Sequence, residues 1–268
     1  MIDWRVWRVS APVLVAAAAM LAGCGAIRPL DKPDATAEEV FRGAKEDLAS
    51  GAYDAAIKGF NRVEALGAGT LLAQQAQLEL AFAQWKSGER EAAVATLDRF
   101  IRFNPSSPAL DYALYLRGMV NFNDGLGFLS GLARQDLAER DQQASRDAWQ
   151  SFRQLVDQFP TSRYTADARV RMDYIANALA RHELHVARYY YLRGAYVAAA
   201  NRAQRAVADF QTAPSAEEAL YLLMLSYERL ELPELRDSAE RVLKQNFPTS
   251  RFLTAGLGGT ERAWWQFW

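Results

Sequence analysis

The most reactive side chain available to this chain of 268 residues is one thiol, that of Cys24, its only cysteine. A thiolate is the strongest nucleophile that proteins offer near neutral pH. Cys24 follows Leu21, Ala22 and Gly23, and residues 9–20 before them form an apolar run behind Arg5 and Arg8. A positive start, a short apolar stretch and small residues at its end are the parts of a secretory leader. The only other candidates for chemistry are His182 and His185, three apart in Arg-His-Glu-Leu-His. On a helix that spacing puts both imidazoles on one side, but the order is not that of a zinc protease and no third ligand can be named. A structural or surface role is expected for both. Carboxylates are scattered along predicted helix faces, so no acid/base pair emerges. Leu257-Gly-Gly259 is too short for a phosphate loop. No catalytic residue and no metal ligand is therefore assigned, and an enzyme is not expected.

Leu21-Ala22-Gly23-Cys24 resembles the bacterial lipobox. That resemblance implies a diacylglyceryl group on the sulfur, cleavage before Cys24 and acylation of the new amine. No other cofactor is expected. A spanning helix would need about 20 apolar residues, more than this segment has. Three acyl chains, at about 0.8 kcal/mol per buried methylene, hold a protein on a bilayer essentially permanently. Gly25 stands where lipoproteins kept at the inner membrane often carry Asp. The expected location is the outer membrane, lipid-anchored in its inner leaflet and facing the periplasm.

Without residues 1–23 the chain carries 29 basic and 31 acidic residues, a net charge of −2. Neither this balance nor the compartment suits nucleic acid. With its one cysteine lipidated the protein has no disulfide, so packing must supply stability, and a chain that is 50% hydrophobic can bury a large core. Charge is nevertheless uneven. Residues 31–100 hold 8 basic and 12 acidic side chains, whereas residues 140–210 hold 11 arginines and 7 acids. A solvated helical surface is one reading of that contrast. An arginine-rich half that docks an acidic protein is the other, because arginine is favoured at interfaces.

The elements that must carry these residues are helices. Ala, Leu, Arg, Gln and Glu dominate the body, and apolar spacing such as Leu78-Phe82-Trp85 is helical throughout. The spacing also repeats. Ala44, Ala81 and Ala187 are each followed seven residues later by Gly51, Gly88 and Gly194. Ala56, Ala93 and Ala199 come five residues further on, then Phe60, Leu97 and Ala203 after four more. Another member begins at Gly118 and resumes at Ala148, Phe152 and Pro160, and Phe-Pro-Thr-Ser-Arg occurs at both 159–163 and 247–251. Small residues where two helices cross, a glycine turn and a proline after the second helix make up the tetratricopeptide repeat. The expected fold is all-α, a tetratricopeptide-repeat (TPR) α-solenoid of about five helix-turn-helix repeats over residues 36–253. In the fifth repeat Glu231 takes the turn position, and the fourth opens with an unusually long helix from about Thr165 to Tyr191.

Residues 24–35 read as a lipidated tether. An insertion at about 123–145 interrupts the third repeat, and its Phe128, Leu129 and Leu132 suit a flap over the core or a contact with a partner. Residues 254–268 form an aromatic tail in which Trp264, Trp265, Phe267 and Trp268 either cap the last repeat or meet a partner or membrane interface. By its terminal aromatic, this tail also resembles the C-terminal signal of barrel proteins, which suggests that it occupies a signal groove in the absence of a client.

Five segments are more specific than the repeat spacing: Leu97-Asp-Arg-Phe-Ile-Arg-Phe-Asn-Pro105, Asp111-Tyr-Ala-Leu-Tyr-Leu-Arg-Gly118, Arg140-Asp141, Val186-Ala-Arg-Tyr-Tyr-Tyr191 and Arg193-Gly-Ala-Tyr-Val-Ala-Ala-Ala-Asn-Arg202. Taken together, they resemble the BamD/ComL family, lipoproteins of the beta-barrel assembly (Bam) machinery. With the lipobox they run in order through nearly the whole mature chain. The resemblance implies a scaffold whose C-terminal repeats bind a periplasmic POTRA domain of BamA, the barrel subunit, beside other Bam lipoproteins. Its N-terminal repeats would receive unfolded outer-membrane proteins. Arg202 matches the family's BamA contact, with Arg193 and Tyr196 near it on the same repeat. Where family members often carry an aromatic, proline-rich turn after the first repeat, this chain has only Gly67-Ala-Gly-Thr-Leu71. Tyr53, Phe82 and Trp85 could replace it, although core packing suits each better. The rival reading is a periplasmic TPR lipoprotein that serves peptidoglycan enzymes or cell division.

Overall fold

The computed structural model describes residues 33–122 and 142–257. The lipobox, Cys24, most of the insertion and the four tail aromatics lie outside them. The described residues contain eleven α-helices and no strand, and they divide into two compact units, one ending at Ser87 and the next beginning at Gly88.

The first unit holds α1 (Ala37–Ala49), α2 (Tyr53–Leu66) and α3 (Leu71–Ser87). A reciprocal capping box starts α1: the Glu39 N–H donates to Thr36 Oγ1 at 3.3 Å and the Thr36 N–H to Glu39 Oε2 at 3.1 Å. Two of the first turn's unpartnered groups are thereby satisfied. All three helix pairs touch. The contact surface is the small-residue pattern read from sequence, with Ala44, Ala56 and Phe60 fully buried beside Val40, Val63 and Leu80. The loop after α2 closes on Thr70, whose hydroxyl donates to the Gly67 carbonyl at 2.6 Å and accepts from the Ala73 N–H at 3.2 Å. Tyr53, Phe82 and Trp85 are half-buried and lie outside the buried core, contrary to the packing expected of them. Phe82 and Trp85 meet edge to face at 5.9 Å, with the Lys86 ammonium 4.5 Å from the Trp85 ring centre.

The second unit runs through α4 (Arg90–Phe103), α5 (Leu110–Asn121), α6 (Gln142–Gln158), α7 (Thr165–Leu192), α8 (Tyr196–Asp209), α9 (Ala216–Arg229), α10 (Pro233–Asn246) and the short α11 (Arg251–Ala255). From α4 to α10 each helix packs on the next, and α7 also meets α9. Neighbour and next-neighbour contact is how helical hairpins stack in a solenoid. Residues 142–145, read as the end of the insertion, form the first turn of α6, where Ala144 and Ser145 are buried. Helices α4 and α6 stop just before Pro105 and Pro160, because a residue that precedes proline is driven out of helical geometry.

The turn glycines Gly51, Gly88 and Gly194 take φ of +80°, +91° and +76°. At Gly51 and Gly194 the turns share one hydrogen-bond pattern: the glycine N–H reaches back three residues and the next N–H reaches back five. This is the Schellman end of a helix, which places the residue after the C-cap in the left-handed region. The turn at Glu231 makes the same two bonds, from the Glu231 N–H to the Glu228 carbonyl and from the Leu232 N–H to the Tyr227 carbonyl, with Glu231 at φ +59°. A side chain there costs about 1–2 kcal/mol, against about 0.5–1 kcal/mol of chain entropy that glycine loses on folding. Glu231→Gly is therefore expected to stabilise the protein by roughly 0.5–1 kcal/mol, read by chemical denaturation, and an unchanged or lower stability would contradict this account.

Candidate partner-docking site

Glu183 belongs to the buried stripe of α7, together with Leu179, Ala180, Leu184 and Ala187. Its side chain is only 3% exposed, yet it is ionisable and must be compensated. The compensation comes from helices on both sides. Arg202 of α8 donates from Nη1 to Glu183 Oε2 at 3.0 Å. Arg205 Nη1, one helical turn further along α8, and Arg146 Nη2 of α6 each stand 3.7 Å from Glu183 Oε1. The three arginine side chains are 33–48% exposed. Three cations from α6 and α8 thus converge on one buried carboxylate of α7.

The other two residues expected near Arg202 lie elsewhere. Arg193 ends α7, and its guanidinium carbon stands 5.3 Å from the Tyr189 ring centre. Tyr196 begins α8 with its ring edge-on to Tyr191 at 5.5 Å, and the Arg229 guanidinium carbon of α9 stands 6.0 Å from its ring centre. The neighbouring Tyr191 side chain, with Tyr196, raises the Arg229 pKa above its ordinary value. Glu183 precedes Tyr191 by eight residues, about 12 Å along the helix. Tyr196 and Arg202, six residues apart on α8, point about 120° away from each other. Two adjoining areas therefore take the place of one cluster: the arginines around Glu183, and a turn surface where Tyr189, Leu192 and Val197 are 51%, 82% and 61% exposed. A shallow depression of about 450 Å³ lined by Tyr196, Val197, Asn201 and Leu230 marks that turn.

Sequence reasoning did not find Glu183, Arg146 or Arg205. A signal was present, because an acid recurring in register with Leu179 and Ala187 interrupts an apolar stripe. Arg202 and Arg205, three apart, also share one helix face. The carboxylate that attracts both belongs to another helix.

Elsewhere, perturbed titration belongs to packing. Burial pushes the Asp167 carboxyl up, but hydrogen bonds from Arg171 and Tyr115 outweigh it and hold its pKa below the ordinary range. Tyr115 of α5 donates to Asp167 Oδ2 at 2.7 Å and stacks on Tyr164 at 4.7 Å, which locks α5 to the start of α7. His185 lines a hollow of about 770 Å³ with Arg181, Arg188 and Arg251, where Arg188 is paired with Glu218. Among the described residues no group of three His, Cys, Asp or Glu side chains could hold a metal ion. No described helix is long and apolar enough to cross a membrane. What the surface offers is fixed positive charge beside exposed apolar and aromatic side chains, which suits binding.

Comparison with known proteins bears on what is bound. Residues 33–243 match the family model YfiO, described as an outer membrane lipoprotein. The outer membrane protein assembly factor BamD of Neisseria meningitidis serogroup B is 42% identical over 253 residues, 92% of this chain and 95% of that protein. BamD of Neisseria gonorrhoeae is 43% identical over 88% of each chain, and that of Haemophilus influenzae is 31% identical over 89% of this chain and 91% of its own. A crystal structure of MamA superposes with a TM-score of 0.38 at 16% identity, over 78% of this chain and 88% of that one. The resemblance read from the sequence segments therefore holds over the length of the chain: this protein belongs to the YfiO outer membrane lipoprotein family, whose relatives are the assembly factors named BamD.

Proposed function

We propose that this protein is the outer-membrane-anchored TPR scaffold of a beta-barrel assembly complex, and that it binds a POTRA domain of a BamA-type barrel subunit through Arg202. Lipid on Cys24 anchors it to the inner leaflet of the outer membrane, facing the periplasm. Other Bam lipoproteins share the complex, and unfolded outer-membrane proteins are the clients. The mechanism is binding alone. The observation that carries the reading is the bond between Arg202 and buried Glu183. A guanidinium held in place before binding loses little side-chain freedom on docking, which favours affinity. Arg193 and Tyr196, at the neighbouring turn, add a rim to the same contact.

The test is purification from membranes with and without Arg202→Ala, followed by affinity measurement against the isolated POTRA domains. Wild-type protein is expected to co-elute with the barrel subunit. Arg202→Ala is expected to weaken the complex by about 2–5 kcal/mol, the cost of truncating one partner of a charge pair that docking buries across the interface. Co-elution with peptidoglycan enzymes alone would overturn the reading, and so would full affinity in the variant.

A further inference from the structure

Within ion-pair distance of Glu183 the charge does not balance, although Asp173 and Asp209 line the hollow beside Arg146. One buried carboxylate faces three guanidiniums, and among the described residues none of Arg146, Arg202 and Arg205 has another ion-pair or hydrogen-bond partner. Only Arg202 makes a hydrogen bond. Arg146 and Arg205 stand at 3.7 Å from the same oxygen, Oε1, too far for a hydrogen bond, so among the described residues nothing fills their donor forks, while attraction holds their positions. Each guanidinium offers five donors in a planar fork that matches a carboxylate bidentately. The side chains are 44% and 48% exposed, open enough to be reached from solvent. Both also come from helices that Glu183 draws together, Arg146 from α6 and Arg205 from α8. Neutralising the carboxylate would leave three like charges with nothing between them.

We infer that Glu183 is a positioning residue, and that Arg146 and Arg205, beside Arg202, form a three-arginine cradle for a carboxylate-bearing patch on the docking partner. The partner chemistry is an acidic protein surface with at least two carboxylates, one for the pair Arg146 and Arg205 and one for the outer face of Arg202. This rests on the proposed binding of the barrel subunit and assigns it residues beyond Arg202. Glu183 itself is too buried to meet the partner, so it acts only through the arginines.

The experiment measures affinity of the full-length lipid-free protein for the purified POTRA domains at several salt concentrations. The variants are Arg146→Gln, Arg205→Gln, Glu183→Gln and Glu183→Asp. Each arginine variant is expected to bind about ten-fold more weakly with a shallower salt dependence, since neutralised cations remove screened attractions. Glu183→Gln is expected to weaken binding by at least as much, and Glu183→Asp to recover part of the loss. A role for Glu183 in folding alone would lower the melting temperature and leave the salt dependence of binding unchanged, which would overturn the positioning assignment. Both arginine variants lie on the surface and keep the test open if Glu183 variants fold poorly. Loss of affinity in Arg202→Ala with full affinity in Arg146→Gln and Arg205→Gln would sink the cradle and leave the proposed function standing. No binding by the wild-type protein would remove both.

Discussion

Cys24→Ser protein is expected to fold and to bind its partner in solution, yet to leave the membrane fraction wherever that partner is depleted. Serine's oxygen is not a thiolate, so the thioether cannot form; exported behind a leader whose cleavage needs no lipid, the variant carries neither the acyl chains nor the apolar run. What is lost is large. At about 0.8 kcal/mol per buried methylene, one acyl chain gives only reversible binding, while two or more anchor stably. The rest of the chain has no cysteine, so no disulfide is disturbed. Cell fractionation and melting of the purified variant check both halves. Retention in the membrane without the partner would show that something other than lipid holds the protein there. In the proposed function the anchor matters because tethering raises the effective concentration of a scaffold near a membrane-embedded partner.

A second large effect is expected in the core of the third repeat. Phe152 of α6 is fully buried, and Gly118 of α5 lies against its ring. A Cβ at Gly118 would stand 2.4 Å from Phe152 Cε1 and 2.6 Å from Cδ1, inside any real contact. Phe152→Ala is expected to cost about 3–5 kcal/mol, from lost burial and the cavity left behind. Gly118→Ala gains about 1 kcal/mol of helix propensity but overpacks a filled site, which costs about 1–3 kcal/mol. In the native background the second term wins and the variant is less stable. With Phe152→Ala the ring is gone, so the same Gly118→Ala change should stabilise by about 1 kcal/mol. Denaturation of the four proteins measures this reversal of sign. Equal effects in both backgrounds would mean that the ring does not limit residue 118.

The repeat was legible because its determinants are local or periodic. Ala44, Ala56, Ala93, Ala187 and Ala199 are all fully buried, at the offsets that mark helix crossings. The glycine turns follow from a backbone state that other residues resist, and even the deviant Glu231 falls where the spacing puts a turn. The long helix read from about Thr165 extends to Leu192. Residues 142–145 were assigned to the insertion because the charge before them masks where the helical pattern of α6 resumes. Tyr53, Phe82 and Trp85 are only half-buried for another reason. Large aromatics suit both a core and a half-open helix face, and sequence cannot tell how much of each ring its neighbours cover.

Periodicity, turn chemistry and motif order are properties of the chain, so the all-helical repeat, its turns, the family and the position of Arg202 are all legible before folding. What Arg202 is attached to follows from helix packing. Glu183 lies nineteen residues before it, while Arg146 and Arg205 approach the same carboxylate from α6 and α8. Packing also parted Arg202 from Arg193 and Tyr196, which are near in sequence but on a different face and at a different height of the repeat. An electrostatic cluster is set by distance through space, and that distance exists only once three helices have packed.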